Sequence, residues 1–153
     1  AIVDSLKYNM RSQIFAKSLP MPMVIGALKR LDILQNRPEI KENLWKIAKA
    51  LQDGLVAEGF NIGNTQSPVT PVYFSGSVPE GTNIVIDLRE NHNVFCSIVV
   101  YPVVPKDVLM LRLIPTASHT MNEVNETIEV FKKIKVNLEA GKYISDEMRS
   151  MTR

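Results

Sequence analysis

Apolar residues at helical spacing alternate along the chain with short β-branched runs, and these two periods predict most of its elements. Ile2, Val3 and Leu6 trace one face of a helix from the first residues onward, before any Ser, Thr, Asp or Asn cap. Residues 8–17 hold no sustained period and are expected to be loop or short extended chain. Ser18 followed by Pro20 and Pro22 marks a helix start, because proline is tolerated in a first turn where no intrahelical bond is lost. Val24, Leu28, Leu31 and Leu34 continue that helix, with Gly26 and Ala27 as a thin spot, and 36–38 break it. The most regular period follows: Ile40, Leu44, Ile47, Ala48, Leu51 and Leu55 share a face, Lys41, Lys49 and Asp53 oppose it, and Gly59 supplies a left-handed cap.

Polar and turn-forming residues dominate 61–71, which predicts a loop, and Val72, Tyr73 and Phe74 predict a short strand after it. In 82–90 the branched residues Ile84, Val85 and Ile86 favour a strand, whereas Ile84 and Leu88 fit two turns of helix; periodicity alone leaves both open. Strands are expected over 94–100 and 109–114, joined by 102–107. Thr120 with Glu123 forms a capping box ahead of Val124, Ile128, Phe131, Ile134 and Leu138, and Gly141 ends that helix. Residues 142–153 have no apolar period and are expected to be a mobile tail or to lie on a partner. The resulting fold class is α+β: a small antiparallel or mixed sheet of about three strands with helices packed mainly on one face.

Composition narrows the class. The chain of 153 residues, 45% hydrophobic and 22% charged, has the balance of one folded domain. Its 18 basic and 16 acidic residues leave +2 with no long basic block, so no nucleic-acid or anionic-membrane partner is expected. The longest apolar stretch is broken by Ser97 and prolines, short of the roughly 20 apolar residues a membrane span needs. A lone cysteine, Cys96, excludes an internal disulfide, and no signal-peptide pattern opens the chain, so a cytoplasmic location is expected.

Candidate chemistry is sparse. His92 and His119 lack a carboxylate or second histidine at ligand spacing, so no metal site is expected. Cys96 between Phe95 and Ser97 is expected in a strand as a buried thiol without a general base beside it, and the scattered glycines form no phosphate loop. Arg112 stands out: it interrupts Leu109, Met110, Leu111, Leu113 and Ile114, so its guanidinium must leave an apolar strand on the alternate face. It is either a strand residue facing water or a carboxylate clamp, since its planar fork of donors matches a carboxylate in bidentate geometry.

Three blocks carry a resemblance. Ser18-Leu19-Pro20 opening a helix, Val100-Tyr101-Pro102-Val103-Val104-Pro105-Lys106, and Leu111-Arg112 followed by Ala117-Ser118-His119-Thr120 occur together over residues 1–138. In order and spacing they resemble the C-terminal region of the α-oxoamine synthases, pyridoxal-phosphate-dependent acyl-CoA:amino acid transferases of aminotransferase fold type I. Within that family 101–106 is most similar to the 2-amino-3-ketobutyrate CoA ligase (glycine C-acetyltransferase) branch. Serine palmitoyltransferase and 8-amino-7-oxononanoate synthase stay open, and some members carry arginine where this chain has Tyr101, which weakens transfer of serine-palmitoyl specificity.

The resemblance implies a helix for 82–90 and three parts: 1–34 a helical segment linking from a large domain, 35–141 the C-terminal small domain, and 142–153 a tail. It implies condensation of an amino acid, glycine or serine, with an acyl-CoA by a homodimer using pyridoxal 5'-phosphate. Arg112 matches the arginine that binds the amino acid's carboxylate. Ser18 falls in the stretch that approaches the cofactor phosphate of the other subunit, although a helix cap explains it equally well, and the histidine matched by His119 has no assigned role. The family's Schiff-base lysine precedes the position matching Ala1, and Lys7, Lys17 and Lys29 lack its context. The chain is therefore expected to be a fragment that neither holds the cofactor nor catalyses alone. A stand-alone α+β ligand-binding or regulatory module without catalysis is the alternative.

Overall fold

The computed structural model describes residues 1–144 of the chain. They divide into two units, Ala1–Pro38 and a second beginning at Glu39. The division falls four residues after the boundary expected at 34.

The first unit holds α1 (Ile2–Asn9), α2 (Arg11–Ile14) and α3 (Met21–Asn36). The expected loop over 8–17 is instead partly helical, since α1 runs through Asn9 and α2 adds a further turn. Hydrogen bonds from the Asn9 amide side chain to the Ser5 carbonyl (2.8 Å) support that extension, a local side-chain contact that apolar periodicity does not register. The N-cap of α3 is Pro20, with Pro22 in the first turn and no side-chain cap, so Ser18 is not the cap the sequence allowed. No residue of these three helices is buried.

From its second residue onward α4 (Pro38–Ala57) lies in the second unit, and it buries Ile47, Ala48, Leu51 and Leu55 on the face its period predicted. Gly59 has φ +78, the left-handed value expected of the cap. After the loop come β1 (Thr70–Ser75), α5 (Val78–His92), β2 (Ser97–Val99), β3 (Val108–Leu113) and α6 (Met121–Glu139). The ambiguous segment 82–90 lies inside α5. Ser77 and Glu80 form a capping box there, and Asn93 closes the helix at φ 55, so caps outweigh the branched residues. The capping box of Thr120 and Glu123 opens α6 as predicted, and Gly141 follows its end at φ +68.

Strand order is β1-β3-β2, with β3 antiparallel to both neighbours. β1 and β2 are therefore parallel to each other, linked through α5, with β3 between them: a split β-α-β unit followed by α6. The strand expected over 94–100 is shorter, because only Ser97–Val99 pair with β3, and Cys96 lies just ahead of it.

One side of the sheet carries the core. Leu109, Leu111 and Leu113 alternate inward on β3, and Leu111 and Leu113 join Val72, Ile84, Leu88, Phe131 and Ile134. Phe131 meets Phe60 edge to face, ring centroids 5.6 Å apart at 84°. α5 approaches closely through Gly81, where a Cβ would stand about 3.1 Å from Leu109. The start of the expected tail belongs to this core: Tyr143 is 4% exposed and donates a 2.6 Å hydrogen bond to Asp87. The period reading missed it because a single aromatic after a cap carries no periodicity. The rest of that tail, 145–153, lies outside the described residues.

Candidate functional site

The opposite side of the sheet has a different character. Pro71, Arg112 and Ser97 form one cross-strand row, and Tyr73, Met110 and Val99 form the next. None of these six residues is buried, whereas their inward neighbours Val72, Leu111 and Leu113 are. Strand alternation thus puts Arg112 on the face that the helical core does not use, in the central strand of the sheet.

Arg112 is exposed, and its Nε donates a hydrogen bond of 3.2 Å to Ser97 Oγ. Among the described residues it forms no ion pair with a carboxylate. A guanidinium so placed keeps its charge and its terminal N–H groups for a planar anion. Ser97 did not stand out in the sequence. A serine between apolar residues is a weak signal, and only the β2–β3 register brings it opposite Arg112.

Ser18, the other candidate, is exposed in the irregular segment between α2 and α3, and it belongs to the first unit while Arg112 belongs to the second.

The two histidines meet at one groove of about 510 Å³, floored by Ile47, Leu51, Leu113 and Val130, to which Arg112 does not contribute. His119 Nδ1 accepts a 2.8 Å bond from the Thr116 backbone N–H, which ties its ring to the turn before α6. Nearby, Glu123 is held below the usual carboxylate range by the Thr120 backbone N–H and then by the Thr120 hydroxyl, its role as helix cap. Among the described residues no group of three or more His, Cys, Asp or Glu could hold a metal ion. Cys96 is buried, and burial pushes its thiol up to about 11, which leaves it protonated and inert at neutral pH.

Pyridoxal phosphate, the cofactor implied by the resemblance, needs a desolvated lysine and a cup of donors for its phosphate. None of Lys7, Lys17 and Lys29 is desolvated. Lys7 lies 3.7 Å from Asp4 and Lys29 2.7 Å from Asp32, both on exposed helix surfaces, and Lys17 is exposed in coil. The charged group the sheet does present is the exposed guanidinium of Arg112.

Among the described residues no helix is long and apolar enough to cross a membrane. No family model matches the chain. Individual relatives do. It is 54% identical over 142 residues to a cysteate-C-fatty acyltransferase of Capnocytophaga ochracea, covering 93% of this chain and 34% of that protein. It is 34% identical over 139 residues to a serine palmitoyltransferase of Sphingobacterium spiritivorum, covering 88% of this chain and again 34% of the relative. The chain thus spans about a third of the length of the curated relatives it matches. Among solved structures, serine palmitoyltransferase of S. paucimobilis with bound PLP–myriocin superposes with a TM-score of 0.73 at 25% identity, over 85% of this chain and 33% of that one. An 8-amino-7-oxononanoate synthase of Francisella tularensis shares the fold, with a TM-score of 0.74 at 20% identity over 91% of this chain and 40% of that one. By sequence and fold the chain belongs with the pyridoxal-phosphate-dependent α-oxoamine synthases, whose C-terminal part it matches.

Proposed function

We propose that this chain is the C-terminal part of a pyridoxal-phosphate-dependent acyltransferase that joins an amino acid to a fatty acyl-CoA, and that Arg112 grips the amino acid's carboxylate. The observation that carries the proposal is the 54% identity over 142 residues to a cysteate-C-fatty acyltransferase. It is supported by the exposed guanidinium, free of any carboxylate partner among the described residues, on the open face of the sheet. In the overall reaction a bond forms between the amino acid's Cα and the acyl carbonyl carbon. The thioester C–S bond breaks, the Cα proton is lost, and coenzyme A leaves as its thiol.

This points away from the glycine C-acetyltransferase branch that 101–106 resembles. The relatives at 54% and 34% identity bear fatty-acyl names, so cysteate is the first amino acid to test and a long-chain thioester its partner. The proposal extends to a homodimer in the cytoplasm, with Ser18 near the cofactor phosphate of the other subunit, in keeping with its place ahead of α3.

The test uses the complete enzyme with its cofactor. Arg112→Ala removes a charge-assisted pair of about 2–4 kcal/mol, so the dissociation constant for the amino acid, read from the cofactor's spectrum, should rise roughly 30- to 1000-fold. Arg112→Lys should recover only part, because one ammonium cannot make two parallel bonds. An unchanged constant in Arg112→Ala removes the clamp. In a substrate panel, cysteate with palmitoyl-CoA should turn over faster than glycine with acetyl-CoA; the reverse order returns the enzyme to the glycine C-acetyltransferase branch.

A further inference from the structure

An arginine that orients a substrate must itself be oriented. Arg112 sits on an exposed strand face with a long side chain, whose free rotamers carry about 2 kcal/mol of entropy. Left unsupported, it would present its fork in many directions. A carboxylate would anchor it at the expense of its charge, since an internal acid competes with the substrate's own carboxylate.

The structure shows a different anchor. Ser97 stands directly opposite Arg112 in the β2–β3 register, and its Oγ accepts from Arg112 Nε at 3.2 Å. On the other flank the register partner is Pro71, which has neither a backbone N–H nor a polar side-chain atom. Among the described residues the anchor thus comes from β2 alone.

Resting on the carboxylate-clamp reading above, we propose that Ser97 is a positioning residue for Arg112. By occupying Nε it closes the side edge of the guanidinium and presents the two terminal nitrogens end-on to the substrate carboxylate. A neutral hydroxyl does this without neutralising the charge. It takes one of the five N–H donors and leaves the four on the terminal nitrogens. Both residues sit on paired strands, which hold such a constellation more rigidly than loops do.

The experiment titrates the complete, cofactor-loaded enzyme with L-cysteate and with taurine, the same amine and sulfonate lacking the carboxylate, following the cofactor's spectrum. Losing a hydrogen bond that fixes a charged group should weaken L-cysteate about tenfold in Ser97→Ala. Ser97→Thr, which keeps the hydroxyl and suits a strand, should restore wild-type binding, and taurine should bind Ser97→Ala as it binds the wild type. In the Arg112→Ala background the Ser97→Ala change should have no further effect on L-cysteate. Equal weakening of taurine, failure of threonine to rescue, or a Ser97→Ala effect that persists without Arg112 would each overturn the positioning role. If Arg112→Ala weakens L-cysteate while Ser97→Ala does not, Ser97 alone is refuted. If Arg112→Ala has no effect, the clamp itself falls, and with it the role of Ser97.

Discussion

The two units of this chain share a helical pattern and differ in what the pattern achieves. In α3, Leu28 and Leu31 recur at helical spacing, as Ile47 and Leu51 do in α4. Yet Leu28 is 61% exposed and Leu31 51%, whereas Ile47 is 2% and Leu51 5%. The difference is the sheet. α4 closes over β1 and β3 together with α5 and α6, and the helices up to Pro38 have no comparable layer within their own unit. An amphipathic period therefore states which face seeks cover, and burial depends on a second layer being present.

Amide hydrogen exchange on the 153-residue chain should show the contrast at its largest. Core amides in α4, α6 and β3 should exchange only on global opening, while those in α1 to α3 should be weakly protected, a difference of at least about 1000-fold given a typical domain stability of several kcal/mol. Equal protection in the two units would break the comparison.

Paired truncations sharpen it. Phe131 is fully buried against Phe60, so Phe131→Ala should cost about 3–5 kcal/mol in urea unfolding. Leu28→Ala on α3 should stay within about 0.5 kcal/mol in the same measurement, as surface substitutions do.

A smaller effect is expected where the chain past α6 is fastened to the core. Burial alone would raise the Asp87 carboxyl. Hydrogen bonds from Tyr143 and Asn91, with Lys142 and His92 nearby, outweigh burial and hold it below its ordinary value. Burial, together with the bond to Asp87, pushes Tyr143 up to about 12. The signs follow by linkage. A depressed acid contributes stability above its unfolded value of about 3.9, which is lost as pH falls through the folded value. A raised phenol contributes stability below about 10, lost as pH climbs from there toward the folded value. Tyr143→Phe should cost about 1.5–3 kcal/mol at neutral pH, because it removes a bond to a charged, buried group. It should also flatten the alkaline decline between pH 10 and about 12, where Tyr143 titrates. An unchanged alkaline limb in urea titrations would show that the fastening is energetically idle.

A further small change has the opposite sign. Gly26 lies inside α3, and a Cβ there would meet only Arg30 at 3.7 Å, so Gly26→Ala should stabilise that helix by about 0.5–1 kcal/mol, measured by circular dichroism on warming. Gly81→Ala should destabilise, because its Cβ would press on Ile98 and Leu109. Matching signs at the two glycines would contradict the difference in their surroundings.

The local code was legible wherever one segment contained its own physics. The α4 face, the capping box at Thr120, the left-handed cap at Gly59, the stop at Gly141, and the alternation that turns Arg112 away from Leu111 and Leu113 all depend on neighbours within a few residues. The three blocks around Ser18, Tyr101 and Arg112 added the family, which composition and period could not.

Other features needed the tertiary structure, because the interacting groups lie far apart in sequence. The extent of β2 was decided by pairing with β3, so residues 94–96 are apolar without belonging to the ladder. Tyr143 is buried through Asp87, 56 positions away, and a lone aromatic beyond a helix end announces nothing locally. Ser97 reaches Arg112 across 15 residues and two strands, a register set by the connection between them and by burial of Leu111 and Leu113 on the other face. Hydrophobicity and charge along the chain dictate which residues seek burial and which stay in water. Which of them meet follows from pairing register and layer packing, and both are properties of several segments at once.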